Sequence, residues 1–537
     1  MGVAAAAVAK ARARGWDRGV SRVQAFPMER DPRAAAIPEA PGAPGDLTEA
    51  LDLVEILCSE LAAEGVVYCH WKSNDLLGRA LRGESDLDLL VRRQDADRFE
   101  EAIHRLGFRD VEAPPIRRVP GVFHSYGLDP PSGRLVHIHA HYELILGDDT
   151  TKNYRLPIED AYLASAEQGP WMPVPSPEHE FIVFVLRMVL KHATWDAIVS
   201  GKGRLSDAEV AELAYLTERA DLHRGAAILH EHLPMVDGAL FDRCLWSLRP
   251  GTSRWFSIRT AHRVEGALSP YARRRHGADS VIRLWRRCRI VVRRHVLHRR
   301  PPRGGLVTGG AVVAVVGGDG AGKSTAVAEL SRWLSGHIAT TTVHLGKPRR
   351  SVTSSIVQRV WRGSARGVVR GPSVSGASLA ASDGTSMTLR ARLRLVRQVT
   401  VARDRYLESR RAHRAAARGA IVIADRYPVP EIRLMDGPLA SKIVTTPGVG
   451  RTVRFLARLE QRYYERIPDP DVLIVLRVSP EVAVERRRGI DDEDVVRRRS
   501  EEIRDVDWQR ISAIVIDADR TEDEVLAEVR SALWSRL

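Results

Sequence analysis

An apolar run from Ala311 to Val316 leads into Gly317-Gly318-Asp319-Gly320-Ala321-Gly322-Lys323-Ser324-Thr325, and Ala326-Val327-Ala328-Glu329-Leu330 follows. A buried strand, a glycine loop and a helix start, in that order, leave few folds open. The spacing Gly317-x4-Gly322-Lys323-Ser324 is the P-loop pattern. Backbone N–H groups at a helix N-terminus surround phosphate oxygens, the lysine neutralises charge and the hydroxyl holds Mg2+. Phosphate is therefore the expected ligand of residues Gly317 through Thr325.

The 537 residues, 44% hydrophobic and 28% charged, suffice for two or three globular domains. Cys58, Cys69, Cys244 and Cys288 lack C-x-x-C spacing, which argues against a disulfide framework and against a structural zinc site. A reducing cytoplasm is the expected location. No window approaches about 18 uninterrupted apolar residues, so no transmembrane helix is expected. Residues 1–45 are rich in Ala, Arg, Pro and Gly and lack a continuous apolar stretch, so they read as a disordered tail rather than a signal peptide, with Met28 as an alternative start.

The net charge of +14 is concentrated. Between Arg249 and Arg303 sixteen arginines face two acids, Glu265 and Asp279, a local excess equal to that of the whole chain. Val281, Trp285, Cys288 and Val292 fall on one helical stripe, with Arg283, Arg286, Arg287, Arg289, Arg293 and Arg294 mostly around the rest of the wheel. Three readings of this basic helix stay open: a connector packing its apolar stripe on a neighbour, docking on an anionic membrane surface through residues 281–300, or binding of a polyanion. Nucleic acid is disfavoured because Trp285 is the only aromatic residue in the helix.

Composition and pattern divide the chain into a tail (1–45), a small α+β domain (46–150), a helical domain (151–280), a basic helix and linker (281–305) and an α/β domain (306–537). In the last, buried strands alternating with helices predict a doubly wound parallel sheet. Gly363 to Thr388, rich in Ser, Gly and Arg, reads as a loop or insertion. Ile421-Val422-Ile423-Ala424-Asp425-Arg426-Tyr427 is an apolar strand delivering an acid and a base at its carboxyl end, where an Asp holds Mg2+ directly or through water. Val472 to Val478 is another strand, followed by Pro480-Glu481-Val482 and a helix carrying Arg486, Arg487 and Arg488, then an acidic turn and Arg497 to Arg499. A basic lid over a transferring phosphate and a solvated, salt-bridged helix both fit these arginines.

Together these segments resemble the thymidylate kinase family of nucleoside monophosphate kinases over about residues 306–537. Gly317 to Ser324 matches that family's G-x-D-G-x-G-K-[ST] form, Asp425-Arg426-Tyr427 its D-R-[YH] motif, Pro480-Glu481-Val482 with Arg486 the start of its lid, and Ile516-Asp517-Ala518 its loop near the adenine. The resemblance implies a P-loop NTPase fold, ATP and Mg2+ as cofactors, and a small-molecule phosphate acceptor. It implies that Lys323 and Arg486 stabilise transferring charge, that Asp319 lies near the reacting phosphates, that Ser324 and Asp425 order the metal, and that Arg426 and Tyr427 serve the acceptor. Arg405 resembles the helix arginine that reaches the acceptor nucleotide. The acceptor side departs from the family: His344-Leu345-Gly346-Lys347-Pro348-Arg349-Arg350 replaces its Arg-Glu-Pro-Gly-Gly stretch, and Pro428-Val429-Pro430-Glu431 and Met435-Asp436-Gly437-Pro438 replace its thymine-recognising residues. Lys347, Arg349 and Arg405 remain candidates to grip an anionic acceptor, either dTMP or another nucleotide or a sugar- or lipid-linked glycan intermediate.

In Gly83-Glu84-Ser85-Asp86-Leu87-Asp88-Leu89-Leu90-Val91, Asp86 and Asp88 share one strand face, a geometry that suits a divalent metal. With His70-Trp71-Lys72-Ser73-Asn74 upstream and Asp97-Arg98-Phe99 through Leu106-Gly107-Phe108 downstream, the segment resembles a nucleotidyltransferase family of the polymerase-beta-like fold. That resemblance implies two acids holding Mg2+ and a third acid on a later strand. Here that strand reads Val136-His137-Ile138-His139-Ala140-His141-Tyr142-Glu143, with His139 in the acid's place. A nucleotide-binding but weak or inactive module, a true transferase, and a nitrogen-rich site favouring Zn2+ or Mn2+ all remain open. The whole chain reads as an ATP-dependent kinase with an appended nucleotidyltransferase-like module. An ATP-responsive scaffold and a polyanion-stimulated ATPase are the other readings, and homodimerisation stays open.

Overall fold

The computed structural model describes residues 49–119, 121–199, 201, 203–298, 303–349, 351–364, 389–432, 438, 440, 443–444 and 450–537. The expected tail 1–45, Pro301-Pro302, Arg350, most of the expected loop from Gly363, and Met435-Asp436-Gly437 lie outside them. The chain divides into two compact units, 1–302 and 303–537.

In the first unit, helix α1 (Asp52–Ala63) precedes strands β1 (Tyr68–His70) and β2 (Leu87–Val91), helix α2 (Ala96–Arg105), and strands β3 (Arg109–Glu112), β4 (Val122–Asp129) and β5 (Arg134–His141). β1 runs antiparallel to β2, β2 parallel to β5, and β5, β4 and β3 form an antiparallel meander. Leu87, Leu89 and Val91 on one face of β2 join Leu57, Leu61, Phe99 and Phe108 in a core under α1 and α2. Period-two alternation therefore turns Asp88 to the opposite face.

The helical region is not a separate body. α3 (Pro177–His192), α4 (Asp207–Arg219), α5 (Leu222–His232), α6 (Gly238–Ser247) and α7 (Arg254–Ala267) share one core with Cys69, Trp71 and Leu90 of the sheet side. α3 is apolar nearly all round, with Phe181 to Leu186 all buried, and a helix of that kind must sit at the centre of its neighbours. Its start is fixed by the Ser176 side chain, which accepts from the His179 N–H, and by Pro177 in the first turn.

The basic helix α8 (His276–Val291), continued by a π-helical turn (Val292–Val296), lies the other way round from the connector reading, one of the three left open. Val281, Trp285 and Val292 of the apolar stripe are 68%, 56% and 47% exposed, whereas Arg283 is 2% exposed. The cause is an acid-lined seat. Arg283 stands 3.4 Å from Asp279 and 3.7 Å from Glu265, Arg287 pairs with Asp148, and Arg286 donates to the Thr150 carbonyl. Paired charge outcompetes a thin apolar stripe for the buried side of this helix.

The second unit alternates β6 (Val312–Gly317), α9 (Lys323–Ser335), β7 (Thr340–His344), α10 (Val352–Ser364), α11 (Leu389–Ala416), β8 (Ile421–Asp425), α12 (Arg451–Glu465), β9 (Val472–Arg477), α13 (Pro480–Arg487), α14 (Glu493–Asp505), β10 (Ile514–Asp517) and α15 (Glu522–Trp534). Gly363 and Ser364, expected to open a loop, end α10 instead. The five strands are all parallel in the order β7-β8-β6-β9-β10. β6 is buried at every position, as a central strand covered on both faces must be. Val312, Ala314 and Val316 pack with Ala412 and Ala416 of α11 and with Trp508. The alternate residues Val313 and Val315 face the other side, toward α9, whose Ala326, Leu330 and Leu334 are buried. Strand order reverses at β6, so the crevice beyond its carboxyl end opens where the glycine loop begins.

Candidate phosphate site and a second polar cluster

Gly317 through Gly322 bridge β6 to α9, and the loop needs its glycines for two different reasons. At Gly317 a Cβ would stand 2.4 Å from the Leu476 carbonyl oxygen, so close approach of β9 forbids a side chain. At Gly320 and Gly322, φ of +79° and +84° demand the left-handed region. A Cβ on Gly322 would meet nothing within 4 Å, so that side of the loop faces open space. The cavity there, about 460 Å3, is lined by Asp319 through Ala326 and by Arg426, Arg486, Arg487, Ala518 and Arg520, among others. The first N–H groups of α9, which have no intrahelical partner, open on the same space.

Lys323 is largely buried, and its Nζ donates to the Gly318 carbonyl at 2.5 Å, arching over the loop. Asp319 accepts from Arg499 of α14 at 2.6 Å. Burial opposes its ionisation, but the bond to Arg499, aided by the charges of Arg499, Lys323 and Arg426, holds its carboxyl below the ordinary value. Arg486 donates to the Gly320 carbonyl at 3.3 Å, closing α13 onto the loop. The turn at the far rim is tied by Asp519, which accepts from the Ser479 N–H at 2.9 Å and from its hydroxyl at 3.2 Å.

Asp425 ends β8 next to the loop strand. Its Oδ2 stands 3.7 Å from His344 Nδ1, and its Oδ1 is buried with no partner among the described residues. A buried, unpartnered carboxylate oxygen is costly unless a cation or a water serves it. Arg426 follows with φ +54°, a strained conformation that swings its side chain into the cavity. Gly346 makes room for it, since a Cβ there would lie 2.6 Å from Arg426 Cδ. The loop, Lys323, the exposed Ser324 and the surrounding arginines thus line the cavity as a donor set that fits phosphate, and the unserved Asp425 oxygen has the chemistry of a Mg2+ ligand.

The acceptor residues fare differently. Arg405 is 8% exposed, and its guanidinium donates to the Leu345 carbonyl at 2.9 Å, the Gly346 carbonyl at 3.4 Å and the Tyr464 hydroxyl. It holds the turn after β7. Tyr427 is a core residue, 3% exposed, whose hydroxyl donates to the Pro468 carbonyl; burial pushes its pKa up to about 12. Lys347 and Arg349 are exposed and do not line the cavity, and Arg349 stands 3.8 Å from Glu408. Arg487 and Arg499 belong to the arginine runs that read from sequence as a basic lid or a salt-bridged helix, whereas Arg520 carries no such signal.

In the first unit, parallel pairing sets Asp88 opposite His139, and antiparallel pairing sets His124 opposite His139 and Tyr126 opposite His137. The rings stack: Tyr126 on His137 at 4.2 Å and His124 on His139 at 4.6 Å between centroids. Asp86 Oδ1 lies 2.6 Å from His137 Nδ1, while Asp88 Oδ1 lies 2.9 Å from His139 Nδ1 and 2.8 Å from Lys72 Nζ. Each carboxylate thus has its own histidine partner. Lys72 is held there by the turn after β1, where Ser73 has φ +56° and the Tyr162 hydroxyl donates to the Trp71 carbonyl at 2.6 Å. Burial lowers the pKa of His139 and, further, of His141, and it presses His124, beside two other histidines, to about 3. Their imidazoles are neutral at pH 7. Glu143 pairs instead with Arg93 and Arg273, both at 3.2 Å. β4, which brings His124 and Tyr126, was not anticipated from sequence.

No protein-family profile matches the chain. Over 188 residues it is 26% identical to the "Uncharacterized ATP-binding protein YghR" of Escherichia coli strain K12, a match spanning 33% of this chain and 68% of that protein. The same protein of Escherichia coli O6:H1 matches equally, at 26% over 188 residues. Among solved structures, deoxyadenosine kinase from M. mycoides with bound dATP aligns with 42% of this chain and 98% of its own, at 16% identity and a TM-score of 0.25. The same enzyme with dCMP and a flexible dCDP aligns at 17% identity and a TM-score of 0.25, over 42% of this chain and 99% of its own. Among the described residues, no helix is long and apolar enough to cross a membrane.

Proposed function

We propose that the carboxyl-terminal unit transfers a phosphoryl group from ATP to a small phosphate-bearing acceptor, as a P-loop kinase resembling the thymidylate kinases. The observation that carries this reading is the convergence of the α9 N-terminus, Lys323, Arg426, Arg486 and Arg487 on one cavity of about 460 Å3. Phosphoryl transfer relies on positioning and on cations placed where charge develops, and this cavity supplies both. ATP would supply the phosphoryl group and Mg2+ would neutralise the charge of its phosphates, with Ser324 and Asp425 as the residues to hold the ion. Lys323 and Arg486, now bonded to loop carbonyls, are placed to exchange those bonds for phosphate oxygens. Asp319, fixed by Arg499, keeps the loop's shape. The ATP-binding description of the Escherichia coli relative supports the donor half.

For the acceptor, a dTMP-like nucleoside monophosphate is the first reading. The internal engagement of Arg405 and Tyr427, together with Pro428-Val429-Pro430-Glu431 where thymine would be recognised, favours a second: a non-nucleotide acceptor such as a sugar- or lipid-linked glycan intermediate. ADP release measured across a panel of nucleoside monophosphates and phosphorylated sugars separates them. Turnover of dTMP near that of the best acceptor supports the first, turnover of sugars alone supports the second, and no turnover with either class leaves an ATP-responsive scaffold. The amino-terminal unit is read as a nucleotidyltransferase-like module in which His139 stands where a third carboxylate is expected.

A further inference from the structure

The amino-terminal unit does not fit the Mg2+ expected of Asp86 and Asp88. Mg2+ asks for oxygen ligands in near-octahedral order, yet Asp86 is engaged by His137 and, among the described residues, no further carboxylate joins Asp88. What does gather at Asp88 is nitrogen. Asp88 Oδ1, a ring nitrogen of His139 and one of His141 lie within 4.8 Å of one another. The individual separations from Asp88 Oδ1 are 2.9 Å to His139 Nδ1 and 4.0 Å to His141 Nε2. Two ligands each about 2.1 Å from a tetrahedral zinc stand about 3.4 Å apart, so small side-chain shifts of opposite sign convert both distances to ligand geometry.

His141 is the second, independent observation. It is fully buried, and neither ring nitrogen has a hydrogen-bond partner among the described residues. An imidazole wholly removed from water with both nitrogens unserved is rare in a folded protein, and one of them is turned toward Asp88. The strand frame makes the arrangement rigid. His139 and His141 alternate on one face of β5, Asp88 stands opposite His139 on β2, and Trp71 packs edge-on against the His141 ring at 5.0 Å. His139 and Asp88 keep 16% and 13% of their side chains exposed, which leaves an approach for an ion. Lys72, 2.8 Å from the same carboxylate oxygen, is the cation an arriving metal displaces.

We propose that Asp88, His139 and His141 form a binding site for a first-row transition ion of the zinc class, two imidazole nitrogens and one carboxylate oxygen, in preference to Mg2+. The site belongs to the amino-terminal unit and stands or falls independently of the kinase reading. The test uses the full chain, stripped with a chelator, titrated with Zn2+ against a chromophoric competitor, and loaded with Co2+ for its visible absorption. One zinc per chain is expected, undisturbed by excess Mg2+, with a Co2+ spectrum of low-symmetry nitrogen and oxygen ligation. Asp88→Asn and His139→Ala are expected to weaken zinc binding by at least about tenfold with circular dichroism unchanged. His262→Ala, which removes the exposed end of the other candidate cluster, Glu265 with His262 and His276, is expected to leave affinity as it was. His141→Ala is secondary because that ring fills the core. Absence of stoichiometric zinc, affinity unaltered in Asp88→Asn and His139→Ala, loss confined to His262→Ala, or preference for Mg2+ would each overturn the assignment.

Discussion

Replacing Arg499 by Met cuts the side-chain bond that ties the glycine loop to α14 while keeping most of the aliphatic stem. Arg499 reaches Asp319 at 2.6 Å across 180 residues of sequence. A hydrogen bond to a charged group contributes about 1.5–3 kcal/mol when buried. The Arg499 side chain is 34% exposed against 11% for Asp319, and solvent at the arginine end brings the figure toward about 1 kcal/mol, or about fivefold in an unfolding equilibrium. The pH dependence has a definite sign. Asp319 is held below its ordinary value of 3.8 in the folded chain, against the pull of burial, chiefly by Arg499. Its contribution is therefore complete above that value and is lost as pH falls through the depressed folded value. The difference between wild type and Arg499→Met should be about 1 kcal/mol at neutral pH and should shrink toward zero in acid, as pH falls through the depressed folded value. Urea unfolding with hydrogen-exchange labelling, read on peptides spanning β6 and α9, reports this unit by itself. No difference at neutral pH, or a difference of the same size at both, refutes the argument.

Arg283→Met is expected to destabilise the amino-terminal unit by about 3 kcal/mol or more, because it leaves the carboxylates of Asp279 and Glu265 buried without their shared guanidinium; thermal unfolding checks it. Tyr427→Phe should cost about 1 kcal/mol of stability through the lost bond to the Pro468 carbonyl, with the acceptor KM unchanged, since the hydroxyl faces the core. A rise in KM without loss of stability would return Tyr427 to the acceptor site. Gly317→Ala is expected to cost about 2 kcal/mol or more, because the new methyl meets a backbone carbonyl of β9 that cannot retreat.

The carboxyl-terminal unit was legible because its signals are local. A buried apolar run, a glycine loop and a lysine at fixed spacing specify strand, turn and helix without reference to the rest of the chain, and Asp425-Arg426 announces itself at the end of another such run. What the sequence hid depends on partners far away. The stripe Val281, Trp285, Cys288, Val292 promised a buried face, but the seat that accepts Arg287 is Asp148 and the seat that accepts Arg283 includes Glu265, neither on the same helix. Arg405 has the composition of a ligand-binding residue, and only the fold shows that backbone carbonyls of Leu345 and Gly346 consume its donors. β4 went unread because His124, Ser125 and Tyr126 interrupt its apolar pattern. His124 and Tyr126 do so because they face the histidine cluster, whereas Ser125, on the opposite face of the strand, donates to Asp110.

The most direct test of the account is acceptor-dependent ADP release by the full chain, wild type against Lys323→Ala, with the acceptor that the panel identifies. The cradle geometry predicts a fall of about 100-fold to 1,000-fold in kcat, the size of removing one oriented charge donor from a transition state, with thermal unfolding of the carboxyl-terminal unit nearly unchanged. Turnover in Lys323→Ala equal to wild type would contradict the assignment of phosphoryl transfer to this loop.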